Sequence, residues 1–313
     1  MVSYILKRLA ATLPVMVVVA LIVFSLLYLA PGDPAAVIAG DMASAAEVAA
    51  IRTKLQLDDP FWVRLLAWVR QVAGGDLGVS IFSNLPVSLL IKQRLEPTIA
   101  LAVLTMVVAI AIAVPLGVLA AARSGRWIDQ FVMAFAVLGF SAPVFVLGYG
   151  LIWLFAIELQ WLPVQGYRPI SDGVGPFLRS LALPAITLGF TYTALIARIT
   201  RATMLEVLAQ DYIRTARAKG LAQGTILARH ALKNASVPIV TVIGTGVALL
   251  IGGVVVTESV FAIPGVGRLT VDAILRRDYP VIQAVLLIFA AVKVLVNLTV
   301  DLLYVVFDPR IRY

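Results

Sequence analysis

Long stretches without charge are the feature that most constrains the fold of this chain. Six segments of roughly 18 residues or more carry no charged side chain, or nearly none. They are residues 9–32, 97–122, 130–157, 180–197, 235–257 and 279–306, the last interrupted by Lys293 and Asp301. At about 1.5 Å per residue, each helix would cross a hydrocarbon core of about 30 Å. Because backbone groups in lipid must be hydrogen-bonded internally, the sequence predicts an all-α integral membrane protein with six transmembrane helices.

Composition supports the same class. Hydrophobic residues make up 61% of the chain and charged residues 13%, whereas soluble domains are about a quarter charged. Lys7 and Arg8 precede the first apolar run, as in a signal peptide. That run exceeds the roughly 7–15 residues of a signal h-region and lacks a convincing small-residue cleavage site, so we expect a retained anchor.

The distribution of Lys and Arg predicts the orientation in the membrane. Thirteen of the 25 basic residues fall on one side: Lys7, Arg8, Arg123, Arg126, seven from Arg198 to Lys233, Arg310 and Arg312. The long segment 33–96 on the other side has six basic and seven acidic residues. Basic loops stay in the cytoplasm, so both termini are predicted to be cytoplasmic. This bias, together with contacts to anionic lipid, accounts for the net charge of +8. The charge is therefore no indication of nucleic-acid binding.

Three regions follow from this topology: residues 1–32, a tail and first helix; residues 33–96, an extracytoplasmic helical loop; and residues 97–313, a five-helix core with a cytoplasmic loop at 202–235. In the second region, Ser44 and Glu47 form a predicted capping box. A second apolar helix, starting at Phe61, follows the break at Asp58-Asp-Pro60. The region is either a cap anchored by Trp62 and Trp68 or a docking surface for an extracytoplasmic partner.

Polar side chains inside predicted spans are costly in lipid and tend to face a cavity or a partner. Lys293, Asn297 and Asp301 share one face of the last span, which we expect to point into the bundle. Either they form structural interhelical contacts or they line a path. Glu258 ends the fifth span ahead of Pro264-Gly-Val-Gly267, which is either a plain turn or an external gate. Pro115, Pro143 and Pro184 predict bends within spans, which serve packing or hinging.

The cytoplasmic loop contains a short basic helix, predicted at 212–219. Asp211 is the predicted N-cap and Gly220 the C′ residue. Its apolar stripe continues from Leu205 and Leu208 through Tyr212 and Ala216, and a second helix is predicted from about Thr225 to Asn234. The helix lies either on the inner leaflet or in a protein groove, and its small residues favour the groove.

Catalytic chemistry has little support in the sequence. The chain has no cysteine and one histidine, which excludes disulfides and thiolate metal sites. It has no GxxxxGK[ST] loop, so we expect it neither to bind nor to hydrolyse ATP, and we expect no cofactor on this chain.

The whole chain resembles the B-type inner-membrane permease subunits of binding-protein-dependent ABC importers, in the dipeptide/oligopeptide/nickel group. The matching segments are Tyr4-Ile-Leu-Lys-Arg8, Pro31-Gly-Asp-Pro34, Gly75-Asp-Leu-Gly78, Asp211 to Gly220, His230-Ala-Leu-Lys-Asn234, Glu258 to Arg268, Arg277-Asp-Tyr-Pro280, Asn297 to Tyr304 and Asp308-Pro-Arg-Ile-Arg312. The resemblance implies the type I permease fold of ABC importers in a bacterial inner membrane.

The resemblance also implies that residues 211–220 are the EAA coupling loop, which inserts into a cleft of a cytoplasmic ATPase. The implied coupling residues are Leu208, Asp211, Tyr212, Arg214, Thr215, Ala216, Arg217, Ala218, Lys219 and Gly220. The family's Glu-Ala-Ala positions hold Arg214, Thr215 and Ala216 here, so the charge that meets Arg214 on the ATPase is expected to be acidic.

The implied assembly contains a second homologous permease, two ATPases that bind ATP and Mg²⁺, an extracytoplasmic substrate-binding protein and membrane lipid. Di- or oligopeptides are the expected substrates, with glutathione or nickel as alternatives within the group. Candidate path residues are Ser141, Thr187, Thr191, Glu258, Lys293, Asn297 and Asp301. An ion-coupled secondary transporter is the alternative from another class, although we find no internal repeat. A membrane-embedded enzyme is a third, with few catalytic side chains to support it.

Overall fold

The computed structural model describes residues 2–29, 33–40, 43–54 and 57–307, and nearly all of these lie in helices or the turns between them. The α-helices, in chain order, are α1 Val2–Leu29, α2 Pro34–Ala39, α3 Ala45–Lys54, α4 Phe61–Ala73, α5 Val87–Ala122, α6 Trp127–Ser141, α7 Val144–Leu151, α8 Val174–Leu208, α9 Asp211–Ala218, α10 Gln223–Thr225, α11 Leu232–Val260, α12 Val266–Leu275 and α13 Tyr279–Phe307. Two π-helical stretches, Ile152–Glu158 and Ile226–Ala231, extend α7 and join α10 to α11.

Among the residues described, four helical segments are long and apolar enough to cross a membrane. They are Val87–Ala122, Val174–Leu208, Gln223–Val260 and Tyr279–Val300. A fifth is counted if α6 and α7 form one broken span. The apolar part of α1, Ala11–Leu26, is shorter. An all-helical protein with four to five membrane-length segments is therefore established, while the sixth span and the cytoplasmic position of the termini stay predictions.

The predicted span over residues 130–157 is interrupted at Pro143, where a bend was predicted. α6 ends at Ser141, α7 begins at Val144, and the two are bent by 106°. Pro143 disfavours helical geometry at the residue before it, and Ala142 accordingly has ψ of 125°. Pro115 and Pro184, by contrast, lie inside continuous helices.

The chain divides into two compact units, of which the first contains Met1–Leu95 and Arg268–Val294. The predicted capping box is confirmed, because the Ser44 backbone N–H donates to Glu47 at 2.8 Å and the Glu47 N–H donates to the Ser44 hydroxyl at 3.3 Å. Arg52 donates to Asp33 at 2.6 Å and to Asp58 at 2.9 Å. The hydrogen bond from Arg52 holds the pKa of Asp33 below its usual value.

A buried polar contact also stabilises the first unit. The Ser80 hydroxyl donates to the Asp278 carboxylate at 2.5 Å, and the Ile81 N–H donates to the other oxygen at 3.2 Å. Both Ser80 and Asp278 are buried. This contact fixes the turn after α4 to the turn before α13.

The second unit contains Glu96–Gly267 and Leu295–Tyr313. α8 lies at its centre and packs against α6, α7 and α11. Its buried side chains include Leu188 and Ile196, which belong to one apolar cluster with Val254 and Phe261. Since most of α8 is buried within the chain itself, α8 provides the fixed frame from which the following loop projects.

Candidate functional site

The basic helix of the cytoplasmic loop is present as α9, Asp211–Ala218. Its predicted start was wrong by one residue, because Gln210 has the extended conformation of the N-cap and Asp211 is already helical. A carboxylate in the first turn still interacts favourably with the helix dipole. Arg214 lies 3.4 Å from the Asp211 carboxylate and adds an exposed ion pair along the same face.

The end of α9 is fixed by Gly220, as predicted. Gly220 has φ of +77°, a left-handed conformation that glycine adopts without steric cost. Its N–H donates to the Arg217 carbonyl at 2.9 Å, and the Leu221 N–H donates to the Ala216 carbonyl at 3.3 Å. These two bonds are the Schellman pattern, which limits α9 to about two turns.

One face of α9 is packed against the chain's own helices. Ile213 is 0% exposed and Ala216 is 7% exposed. They belong to an apolar cluster, which we call the α9 seat, with Ala121, Met204, Ile226, Ala231, Ala235 and Ile239. α9 is therefore held rigidly against the ends of α5, α8 and the segment leading into α11.

The sequence missed Ile213 and misplaced Tyr212. The predicted stripe carried the helical spacing of Leu205 and Leu208 across the helix start at Asp211 to Tyr212 and Ala216. In the structure α8 ends at Leu208 and α9 begins at Asp211, with a break between them. The break resets the helical phase, so Ile213 is buried while Tyr212 is 44% exposed. Leu208 is half-buried at the end of α8.

The opposite face of α9 is open and mainly basic. Its exposed residues are Asp211, Tyr212, Arg214, Thr215, Arg217, Ala218, Lys219 and Gly220. This face, which we call the α9 outer face, combines three cations, one anion and the exposed ring of Tyr212. A rigidly seated helix with such a surface can bind an acidic protein groove.

The segment after α9 differs from the prediction. A separate helix from Thr225 to Asn234 does not form, because Gln223–Val260 is one continuous helical segment that passes through Pro238. Its π-helical stretch places Ile226 and Ala231 in the α9 seat. α9 is thus joined by a short turn to a helix of membrane-crossing length.

Three predicted path residues are hydroxyl side chains in α6 and α8. Ser141 is exposed and donates to the Val137 carbonyl at 2.9 Å. Thr187 is buried and donates to the Leu183 carbonyl at 2.7 Å. The Thr191 hydroxyl is buried and has no hydrogen-bond partner among the described residues. Of the three hydroxyls, only that of Ser141 belongs to an exposed residue, and the role of all three in a path stays a prediction.

A cavity of about 710 Å³ lies elsewhere, and none of the predicted path residues lines it. Its lining comes from residues 160–168 and the start of α8, and includes Trp161, Tyr167, Arg168 and Arg179. Among the described residues, no group of three or more His, Asp or Glu side chains could hold a metal ion.

Two of the three polar residues predicted to share one face of the last span are exposed in the structure. Lys293 and Asn297 are both exposed on α13, and the side chain of Asp301 lies outside the described residues. Lys293 and Asn297 therefore do not pack into this chain's own interior, contrary to our expectation. Exposure leaves them accessible to another subunit or to a solute, and their part in a path stays a prediction.

The variant Lys293→Leu tests this stripe. If Lys293 faces the path, we expect a changed transport rate at unchanged thermal stability, because an exposed side chain makes little contribution to packing. Initial transport rates and the melting temperature of the purified protein are the measurements. An unchanged rate with a lowered melting temperature would assign Lys293 a structural role instead.

Glu258 is fully buried and takes part in a hydrogen-bond network at the end of α11. Its Oε1 accepts from the Thr98 hydroxyl at 2.6 Å, and Thr98 Oγ1 accepts from the Val266 N–H at 2.8 Å. A Cβ atom on Gly265 would overlap the Glu258 carboxylate. The sequence identified Glu258 but not Thr98 or Gly265. The network, which we call the Glu258 lock, fixes the turn into α12 against α5, and a path role for Glu258 stays a prediction.

Comparisons with known proteins agree with this structure. The family profile described as "Binding-protein-dependent transport system inner membrane component" matches residues 113–313, and the corresponding N-terminal profile matches residues 1–102. A protein of Sinorhizobium fredii named as a peptide ABC transporter permease is 55% identical over 99% of both chains. A protein of Brucella abortus named as a peptide transport system permease is 47% identical over the full length of both.

A glutathione transport system permease of Salmonella paratyphi A is 42% identical over the full length of both chains. Among solved structures, an inward-facing conformation of the MetNI methionine ABC transporter matches with a TM-score of 0.59. The match covers 71% of this chain and 97% of that chain at 19% identity, so it supports the fold alone.

Proposed function

Because the chain belongs to the family of binding-protein-dependent transport system inner membrane components, we propose that it is the permease subunit of an ATP-driven peptide importer. Peptides are the proposed substrates because full-length relatives named as peptide permeases are 47–55% identical to it. The chain is an inner-membrane component with membrane-length helices and supplies part of the translocation pathway.

The α9 outer face carries the proposal for energy coupling. Ile213 and Ala216 hold α9 against the ends of the long helices, so a force on α9 reaches those helices directly. The exposed Arg214, Arg217 and Lys219 suit an acidic groove on a cytoplasmic ATPase. The chain itself lacks a phosphate-binding loop, so ATP and Mg²⁺ bind to the ATPase subunits.

The proposed complex contains this chain, a homologous second permease, two ATPases and an extracytoplasmic binding protein. ATPase closure moves α9, and the bundle alternates between inward-open and outward-open states. Six spans with both termini in the cytoplasm complete the proposed topology, because the basic α9 loop then faces the ATPases.

Reconstitution tests this function. Proteoliposomes that contain the complete complex should accumulate a labelled dipeptide only with ATP and the loaded binding protein. Ionophores that collapse proton and sodium gradients should leave uptake unchanged. Uphill uptake by this chain without ATPases would contradict the proposal and favour an ion-coupled transporter.

Glutathione is the second candidate substrate, supported by the 42% identical glutathione permease. It is itself a tripeptide, so the same pathway chemistry applies. Competition between labelled dipeptide and unlabelled glutathione or Ni²⁺ in the same proteoliposomes distinguishes the three substrates.

A further inference from the structure

An ion pair between buried Asp129 and partly buried Arg201 joins the start of α6 to the last two turns of α8. Arg201 Nε donates to one Asp129 carboxylate oxygen, and Arg201 Nη2 donates to the other at 2.7 Å. The Asp129 side chain is 5% exposed and that of Arg201 24%. Because both groups are planar, this bidentate contact fixes the orientation of the two helices as well as their separation.

The same carboxylate holds the turn that connects α5 to α6. The Gly125 N–H donates to Asp129 Oδ2 at 2.9 Å, and Gly125 has φ of +76°. Asp129 thus binds its own helix start and α8 at once, so this one side chain fixes the start of α6.

α5 is packed closely against α8 in the same region. A Cβ atom on Gly117 would lie 2.6 Å from Thr200 Cβ and 2.7 Å from the Ala197 carbonyl oxygen. Such a close approach is possible only with glycine at this position. Since Thr200 is adjacent to Arg201, the ends of α5, α6 and α8 are fixed to one another within about one helical turn.

This junction lies next to the α9 seat. Met204, three residues beyond Arg201 on α8, and Ala121 at the end of α5 both belong to the seat that buries Ile213. A displacement of α9 therefore acts first on α5 and α8. The Asp129–Arg201 pair is a polar connection from α8 onward to α6.

We propose that the Asp129–Arg201 pair makes α6 move together with α8 when the ATPases displace α9. The inference rests on the proposed function and assigns both side chains a positioning role in coupling. Replacing a buried ion pair by apolar side chains is often neutral for stability, so the fixed geometry is the better explanation for burying the Asp129 carboxylate against Arg201. Without the pair, the apolar packing of α6 on α8 remains but the start of α6 is no longer fixed to α8. ATP hydrolysis continues, less of its motion reaches α6, and transport per ATP falls.

The main test is the double variant Asp129→Leu with Arg201→Leu in the complete reconstituted complex. It removes the bidentate geometry without leaving one charge buried and unpaired. We expect assembly with the ATPases and the ATP hydrolysis rate to stay near wild type, while dipeptides transported per ATP fall about tenfold. The exchanged variant, Asp129→Arg with Arg201→Asp, should recover part of this ratio.

The matched control is the exposed pair Arg168 and Asp172, whose side chains are 70% and 43% exposed. The same double change to leucine there should leave the ratio unchanged, since exposed pairs constrain geometry little. A wild-type ratio in the Asp129/Arg201 double variant overturns the inference. If the double variant fails to assemble, the single variant Arg201→Lys is the test. Lysine keeps the positive charge but cannot make the bidentate contact, so the number of dipeptides transported per ATP should fall. An unchanged number in Arg201→Lys also overturns the inference. Failure of the wild-type complex to transport with ATP would refute the proposed function instead.

Discussion

The variant Ala218→Trp is expected to abolish transport by releasing the ATPases while leaving the permease folded. Ala218 belongs to the α9 outer face and is exposed, so an indole there does not clash with the chain's own helices. A groove that accepts a two-turn helix with alanine at this position has no room for the larger side chain. Co-purification of the ATPases with the tagged permease is the measurement, together with ATP-dependent dipeptide uptake.

Two further variants separate docking from folding. Ala216→Trp changes a residue of the α9 seat that is 7% exposed, so it should also lower the melting temperature of the permease. Ala73→Trp makes the same change on an exposed alanine at the end of α4 and should alter neither quantity. Normal ATPase retention and uptake in Ala218→Trp would show that the α9 outer face is not the docking surface.

Local sequence signals predicted local structure well. Gly220 marked the end of α9 because a left-handed residue is needed there, and the capping box at Ser44 and Glu47 formed as expected. These features depend on residues within a few positions of one another. The helix phase depends on where neighbouring helices break, so the break between Leu208 and Asp211 was enough to misplace Tyr212 and conceal Ile213.

Contacts between distant residues could not be predicted from one sequence. Asp129 and Arg201 are 72 residues apart, and Thr98 and Glu258 are 160 apart. The residues around Asp129 in the sequence are those of an ordinary helix start with a carboxylate in its first turn. They do not show that this carboxylate is buried and paired with an arginine. Both arrangements exist only after α5, α6, α8 and α11 are packed.

The variant Gly265→Ala is expected to destabilise the Glu258 lock and strongly reduce transport. The new methyl group would overlap the buried Glu258 carboxylate, which Thr98 holds at 2.6 Å. Overpacking of this kind costs about 1–3 kcal/mol. The lock fixes the turn between α11 and α12, and α11 belongs to the bundle that alternates in the proposed function, so displacement of this turn should also reduce transport. Melting temperature and ATP-dependent uptake are measured together.

Gly252→Ala provides the control, because an added Cβ at that α11 position meets no atom within 4 Å. Alanine in place of glycine inside a helix should raise stability by about 0.5–1 kcal/mol there. Adding Glu258→Asp to Gly265→Ala shortens the acid and makes room for the methyl group, so the double variant should lose less stability than the two single losses combined. Two results would contradict this prediction. The stability losses of Gly265→Ala and Glu258→Asp could add strictly in the double variant, or Gly265→Ala could have the same melting temperature as Gly252→Ala. Either result would mean that the Glu258 carboxylate does not occupy the space next to Gly265 in the folded protein.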